Sequence, residues 1–295
     1  MAGRRHFHQV DVFTDRPLMG NPLAVVHDAD DLDDARMAAF ARWTNLSETT
    51  FLLPATAPGA DYRVRIFTPL GELPFAGHPT IGSAWAWLAA GGKPRDEGVV
   101  VQECGVGLVR VRRSVVDGRE RLAFAAPPLR RTGPLDDALL TRVCAALRLT
   151  RDEVLRHQWV DNGPGWVAVQ LRSAAAVRAV VPDRVAIGDL KIGLIGEHPS
   201  SGVAMAGQHD AAVGPDAPHF EVRAFFSGAL EDPVTGSLNA GLAQWLIGAG
   251  LAPERYVAGQ GHALGRDGRV HVQRDGETVW VGGDVTPLVE GTVIL

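Results

Sequence analysis

This 295-residue sequence predicts an α+β fold built from two similar halves, on three observations. First, the passage Glu72-Leu73-Pro74-Phe75-Ala76-Gly77-His78-Pro79-Thr80-Ile81-Gly82 returns 159 positions later as Glu231-Asp232-Pro233-Val234-Thr235-Gly236-Ser237-Leu238-Asn239-Ala240-Gly241. At that offset Glu72 matches Glu231, Pro74 matches Pro233, Gly77 matches Gly236, Gly82 matches Gly241 and Gly91 matches Gly250. Second, each copy opens a segment, residues 79–90 and 237–249, with almost no charge on any side. A helix apolar all round must be enclosed by the rest of its half. Third, strand-like segments come in runs and not in regular alternation with helices, the pattern of an α+β fold with mostly antiparallel connections.

The elements follow in order. Residues 7–13 and 23–26 read as strands joined by a turn containing Pro17, Gly20, Asn21 and Pro22. Residues 31–43 have helical apolar spacing, with aspartates in the first turn, where they complement the helix dipole. Residues 49–53 and 62–67 are strands, the first copy of the repeat follows, and residues 98–111 and 121–125 are further strands. The stretch Ala126-Pro127-Pro128-Leu129-Arg130-Arg131-Thr132-Gly133-Pro134 resists helix and central strand alike. It sets the expected domains at 1–128 and 129–295, with the C-terminal strand able to pack back on the first half.

Beyond the linker, residues 136–147 are amphipathic and Thr150-Arg151-Asp152-Glu153 is a capping box opening a short helix. Residues 159–161 and 166–171 echo the opening hairpin, and residues 174–181 are expected to be helical. Residues 191–195, 203–206 and 221–226 are strand-like, and a tail of strands at 270–272, 279–281 and 293–295 follows the second copy of the repeat.

Composition narrows the function. A formal charge of -5 with interspersed signs offers no basic face for nucleic acid and no polybasic segment for a membrane, leaving a small molecule as the expected partner. Cys104 and Cys144 are the only cysteines and stand in no ligand spacing, so neither a disulfide framework nor a thiolate metal site is expected and a reducing cytoplasm fits. His6-Phe7-His8 has no partner carboxylate at ligand spacing, and no metal site is expected. No nucleophile elbow, phosphate loop or dinucleotide-type glycine turn occurs, which removes the usual supports for hydrolase, kinase and dehydrogenase functions.

The two helix starts are the chemically promising places. Pro79 in the first turn of one helix and Ser237 as expected N-cap of the other leave backbone N–H groups pointing outward, able to hold a carboxylate or phosphate. Glu48 sits at a helix exit among apolar neighbours, where desolvation would suit it to general-base work. His78 stands at the first helix start. Asp232 stands where the first copy has Leu73, a charge that breaks the symmetry of the repeat. Read singly, each of these residues also fits a plain role as cap, turn or surface group.

Taken together, Asp11-Val12-Phe13-Thr14 with Gly20-Asn21-Pro22-Leu23, Ser47-Glu48-Thr49-Thr50-Phe51, Pro74-Phe75-Ala76-Gly77-His78-Pro79-Thr80, Glu231-Asp232-Pro233-Val234-Thr235-Gly236-Ser237 and Gln260-Gly261 with Gly265-Arg266 resemble the PhzF-like family of phenazine-biosynthesis isomerases. The motifs are in family order and cover nearly the whole chain. The resemblance implies the diaminopimelate epimerase fold, with two halves that each wrap a sheet around a central helix and an active site in the cleft between them. It implies chemistry without cofactor or metal, catalysis by Glu48, His78 and Asp232, and substrate binding by Ser47, Gly77, Gly236 and Ser237. Homodimers are frequent in the family. Ala76-Gly77-His78 and Thr235-Gly236-Ser237 stand where the epimerases carry two cysteines, so a two-thiol racemase is not expected.

The expected reaction is removal of a proton by Glu48 from a small carboxylate-bearing metabolite and its delivery to another carbon, moving a double bond. Two alternatives stay open on the residues: an epimerase using Glu48 and Asp232, and a carboxylate-binding protein without catalysis.

Overall fold

In the computed structural model the chain forms two units, Met1–Ala125 with Gly282–Leu295, and Ala126–Val281. Residues 3–116, 118–199, 216–226 and 230–295 are described. The strand expected at 203–206 lies outside them.

The first unit opens with an antiparallel pair, β1 (Arg4–Val12) and β2 (Asn21–Val26). Helix α1 (Asp34–Thr44) is capped by the Asp33 carboxylate, which accepts from Arg36 N at 2.7 Å, and closes at Asn45 in the left-handed region. Then come β3 (Glu48–Leu53), β4 (Tyr62–Thr68), β5 (Gly71–Leu73), α2 (Gly77–Ala89), β6 (Val99–Cys104), β7 (Gly107–Val116) and β8 (Arg119–Ala125). β2 and β3 run parallel, β3 and β4 antiparallel, β4 pairs antiparallel with β5 and parallel with β6, and β6, β7 and β8 form an antiparallel meander. A parallel join needs a crossover. The first of these, α1, packs Met37, Phe40 and Ala41 on one face of the sheet with Val26, Phe51 and Phe67. The second, α2, lies on the other face and touches β1, β2, β3, β6, β7 and β8.

The second unit repeats this order of joins. Its elements are α3 (Asp137–Leu147), β9 (Arg156–Trp159), β10 (Trp166–Gln170), α4 (Ala174–Ala179), α5 (Arg184–Ile187), β11 (Lys191–Glu197), β12 (Phe220–Phe226), β13 (Leu230–Glu231), α6 (Gly236–Gly248), β14 (Arg255–Gln260) and β15 (Gly268–Asp275). Pairing is antiparallel for β9 with β10, parallel for β10 with β11, antiparallel for β11 with β12 and β12 with β13, parallel for β12 with β14, and antiparallel for β14 with β15. The capping box at Thr150 forms as expected, over a single 3-10 turn. Helices α3, α4 and α5 supply Leu140, Val143, Val177 and Ile187 to cover Val167, Val169, Ile192, Leu194 and Phe225 of the sheet.

The unit boundary falls within β16 (Thr278–Gly283), and β17 (Val285–Ile294) pairs antiparallel with β1 from Arg4↔Ile294 to Val12↔Val285. Residues 282–295, counted with the second half at 129–295, therefore belong to the first. The other limit also moves, from 128 to Ala125. Strand pairing between the chain ends decides this, in line with the expectation that the C-terminal strand can pack back on the first half.

The repeat is explained by packing. In α2 a Cβ on Gly82 would come within 2.6 Å of Leu23 Cδ2 and 2.9 Å of Val12 Cγ2, and in α6 a Cβ on Gly241 would come within 2.3 Å of the Val160 carbonyl oxygen. Each central helix thus approaches its sheet at a glycine. Because the neighbour of Gly241 is backbone, Gly241→Ala is expected to destabilise the protein by about 3 kcal/mol, the upper part of the usual overpacking range. Urea unfolding checks this, and a loss under 1 kcal/mol would contradict it.

A second device is duplicated one residue out of phase. Arg65 Nε and Nη2 donate to both oxygens of Glu72 at 2.8 and 2.6 Å, and Arg223 does the same to Glu231 at 2.8 and 2.8 Å. In each case the guanidinium also lies over a phenylalanine two residues on, Phe67 at 5.1 Å and Phe225 at 4.8 Å.

Candidate active site

Helix α2 begins at Gly77, two residues before the expected start, with Ala76 as its N-cap. An alanine supplies no capping side chain, so the first-turn N–H groups are left for other acceptors. The second copy is built likewise. α6 begins at Gly236 with Thr235 as N-cap, which corrects the expectation that Ser237 caps it. Thr235 makes no side-chain cap hydrogen bond either. Its hydroxyl instead donates to Asp232 Oδ2 at 2.7 Å and accepts from Gln260 Nε2 at 3.0 Å. Both helices close as expected, with Gly91 and Gly250 at φ 91° and 69°.

In the first unit the fold brings Glu48 and His78 together. Glu48 is the first residue of β3, opposite Leu23 of β2, and His78 is the second residue of α2. His78 Nε2 lies 3.3 Å from Glu48 Oε2, with side chains 5% and 15% exposed. Asn21, fully buried at the start of β2, places Nδ2 3.3 Å from His78 Nδ1. With the amide as donor, Nδ1 is the acceptor and the imidazole proton sits on Nε2, on the side of the ring near the carboxylate but without a hydrogen bond to that oxygen.

Burial pushes His78 down to about 3, so the ring is neutral near pH 7 and meets Glu48 as a polar neighbour, not as an ion-pair partner. Ser47 is half-buried immediately before β3, and Gly77 is the buried first residue of α2.

The neutral histidine carries a stability signature. Its folded pKa is below the unfolded value, so the unfolded state binds the extra proton as pH falls through about 6.5 and stability drops. Between pH 6.5 and 5 the slope from this one residue rises from about 0.7 to about 1.4 kcal/mol per pH unit. In urea melts the stability advantage of the wild type over His78→Asn is expected to shrink on acidification by that slope. Parallel lines would show that His78 titrates normally in the fold.

In the second unit Asp232 directly follows β13, and its backbone is held at both ends: Asp232 N donates to Ala224 O at 3.0 Å and Gln260 Nε2 donates to Asp232 O at 3.1 Å. Gln260 Oε1 accepts from Thr235 N at 3.1 Å and from Asn239 Nδ2 at 2.9 Å. One buried glutamine therefore fixes Asp232, Thr235 and the first turn of α6. Ser237 Oγ accepts from Trp166 Nε1 at 3.0 Å, and its carbonyl accepts from Asn162 Nδ2 at 2.8 Å.

The first unit uses the same scaffold. Gln102, 158 positions before Gln260, donates from Nε2 to Thr80 Oγ1 at 3.0 Å and accepts from Tyr62 OH at 2.9 Å. Thr80 stands at the helix position of Asn239.

Glu48 has no acidic counterpart. Thr49 pairs with Phe67 and Ile192 pairs with Phe225, so the residue before Ile192, Lys191, holds the place of Glu48 at the start of its strand. Sequence reasoning missed Gln102, Thr80, Asn162 and Trp166 as supports of the helix starts. A fixed 159-residue offset could not pair Gln102 with Gln260, which lie 158 apart. Of the two cysteines, Cys144 is buried and Cys104 half-buried.

Among the described residues no helix is long and apolar enough to cross a membrane. The model for the phenazine biosynthesis-like protein family PhzC-PhzF matches residues 10–291. The chain is 33% identical over 298 residues to trans-2,3-dihydro-3-hydroxyanthranilate isomerase of Pseudomonas aeruginosa, covering 97% of this chain and 98% of that one. It is also 33% identical over 301 residues to antisense-enhancing sequence 1 of Schizosaccharomyces pombe, covering 97% of each. The fold matches the crystal structure of the Bacillus anthracis phenazine biosynthesis protein of the PhzF family with a TM-score of 0.79 at 23% identity, over 99% of this chain and 100% of that one. With two units of one topology, the repeated helix starts and a match along almost its entire length, the chain belongs to the PhzC-PhzF family and is an isomerase.

Proposed function

We propose that this isomerase moves a proton, and with it a double bond, on a small metabolite that bears a carboxylate, with Glu48 as the single acid and base. The observation that carries the proposal is the Glu48–His78 contact at the start of α2, with Lys191 in the equivalent place of the other unit. A two-base epimerase is better served by like groups in both halves.

In this reading one Glu48 oxygen takes a proton from a carbon next to an unsaturated or carbonyl group. The C–H electron pair moves into the conjugated system, and the protonated Glu48 returns the proton to a different carbon while the double bond shifts. Neutral His78 offers its Nε2–H to the negative charge that develops on the substrate. Being uncharged, it leaves Glu48 free to act as a base near pH 7. Ser47 and the first-turn N–H of Gly77 contribute polar contacts beside it, and the N–H groups of Gly236 and Ser237 hold a carboxylate.

With its carboxyl accepting from Thr235 and its backbone held by Gln260, Asp232 is suited to an N–H or O–H group of the substrate. Trans-2,3-dihydro-3-hydroxyanthranilate, named for the Pseudomonas aeruginosa relative, has a carboxylate, an amino group and a hydroxyl, and is the first substrate to test. Incubation in deuterated water followed by NMR reads both exchange and double-bond position. Inversion of a stereocentre with the double bond unmoved would instead assign an epimerase.

A further inference from the structure

We infer that His6, His8 and His27 form a site for a divalent transition-metal ion of the zinc type, ordered by Glu290. None of these residues belongs to the Glu48–His78 pair. The sequence places His6 and His8 two apart on β1, hence on one face of the strand. It leaves them without a partner. The sheet supplies two.

On one side β2 pairs with β1 as far as Phe7↔Val26, and the next residue, His27, donates its backbone N–H to His6 O at 3.0 Å. His27 thereby lies across from His6. On the other side β17 sets Glu290 directly opposite His8. Three adjacent strands thus bring three imidazoles and a carboxylate together from positions 6, 8, 27 and 290.

The geometry approaches that of a bound ion, with His8 and His27 nearly at ligand spacing and His6 having to swing inward by up to about 1.5 Å. One ligand nitrogen from each of the three histidines lies within 4.8 Å of the others. His8 Nδ1 and His27 Nε2 are 2.9 Å apart. Two imidazole nitrogens at about 2.05 Å from a tetrahedral zinc stand roughly 3.3 Å apart, so this pair needs to open by only a few tenths of an ångström. Ring centroids are separated by 4.5 Å for His6 and His8, 4.7 Å for His6 and His27, and 5.0 Å for His8 and His27.

The hydrogen that His8 and His27 now share would move to the other nitrogen of the ring that carries it, a tautomer change with no net loss of a proton. Glu290 Oε1 lies 3.5 Å from His6 Nε2 and 4.0 Å from His8 Nε2. When Nδ1 of each ring turns to the ion, the opposite N–H faces a carboxylate, the usual arrangement that orients a metal-bound histidine.

His8 and His27 are buried, at 2% and 6% exposure, and the His6 side chain is 34% exposed, which leaves a way in from solvent. Three imidazoles suit zinc, nickel, copper or cobalt rather than magnesium or calcium. The ion would join the C-terminal strand to the first two strands of the unit.

The full chain, stripped with a chelator, is titrated with zinc alone by calorimetry at pH 7, and separately with cobalt by visible absorption. One equivalent per chain is expected, with a rise in melting temperature and the strong visible band of four-coordinate cobalt. His27→Gln and His6→Ala are each expected to weaken zinc binding by more than about 100-fold, and Glu290→Gln by about 10-fold. His6 is partly exposed, so its variant tests the site even if His27→Gln misfolds. His271→Asn, at a separate histidine-carboxylate contact on β15, is expected to leave the affinity unchanged. Absence of saturable one-to-one binding, or binding that survives His6→Ala undiminished, would overturn the assignment.

Discussion

Glu48→Gln is expected to lower both substrate isomerisation and solvent deuterium exchange by about 10² to 10⁴-fold, the range for removing a placed acid-base group. The glutamine has nearly the same shape and keeps a carbonyl oxygen for His78, so the thermal midpoint is expected to change little. A glutamine cannot accept a carbon-bound proton near neutral pH, whereas its contacts and volume survive. The two effects therefore separate chemistry from folding. Exchange at the wild-type rate in a folded Glu48→Gln protein would remove Glu48 from the mechanism. Loss of exchange with retained binding of the carboxylate would support its role, and would also show that the anion-holding groups work independently of the base.

Arg223→Met is expected to cost about 3–5 kcal/mol, and the matching change Arg65→Met only about 1 kcal/mol or less. Both arginines clamp a glutamate through the same two bonds. Solvent makes the difference. Side chains of Arg223 and Glu231 are 5% and 9% exposed, against 17% and 40% for Arg65 and Glu72. Removing Arg223 leaves a buried carboxylate with no counter-charge.

Arg223 also reaches the far end of α4. Its Nη1 donates to the carbonyls of Val180 at 2.6 Å and Val177 at 3.2 Å, acceptors that would lose this donor in the variant. Arg65 makes no such contact with backbone among the described hydrogen bonds. Urea melts of the two single variants and of Arg223→Met with Glu231→Leu test this reading. The double variant is expected to recover much of the loss, since replacing a whole buried pair by apolar groups is often neutral. Equal losses for Arg65→Met and Arg223→Met would show that burial is not what distinguishes the two clamps.

Much of this was legible from residues alone because the repeat passage is local. Glycine at 77, 82 and 91, recurring at 236, 241 and 250, marks a helix start, a close approach to the sheet and a left-handed exit, three demands that only a short stretch of chain must meet. Nothing local marks the supports. Glu231 lies one residue farther from Phe225 than Glu72 does from Phe67, and Gln260 lies one residue nearer to Gly250 than Gln102 does to Gly91, so Arg65 with Arg223 and Gln102 with Gln260 are both out of step with the passage. The eye that aligns the glycines passes over the glutamines.

Sequence by itself determined the two-unit plan, the central apolar helices and the family, because turn chemistry and periodicity act over a few residues and the family motifs are contiguous. It also marked Glu48, His78 and Asp232. Only the tertiary structure decided that the last strand returns to β1, that Asn21 orients a neutral His78 toward Glu48, and that Lys191 stands in the place of Glu48. It alone joined His27 and Glu290 to His6 and His8. Each of these depends on segments far apart in the chain meeting, and for the strand residues register is a property of the assembled sheet: a one-residue slip would turn Asn21, Glu48, His6 or His8 to the opposite face.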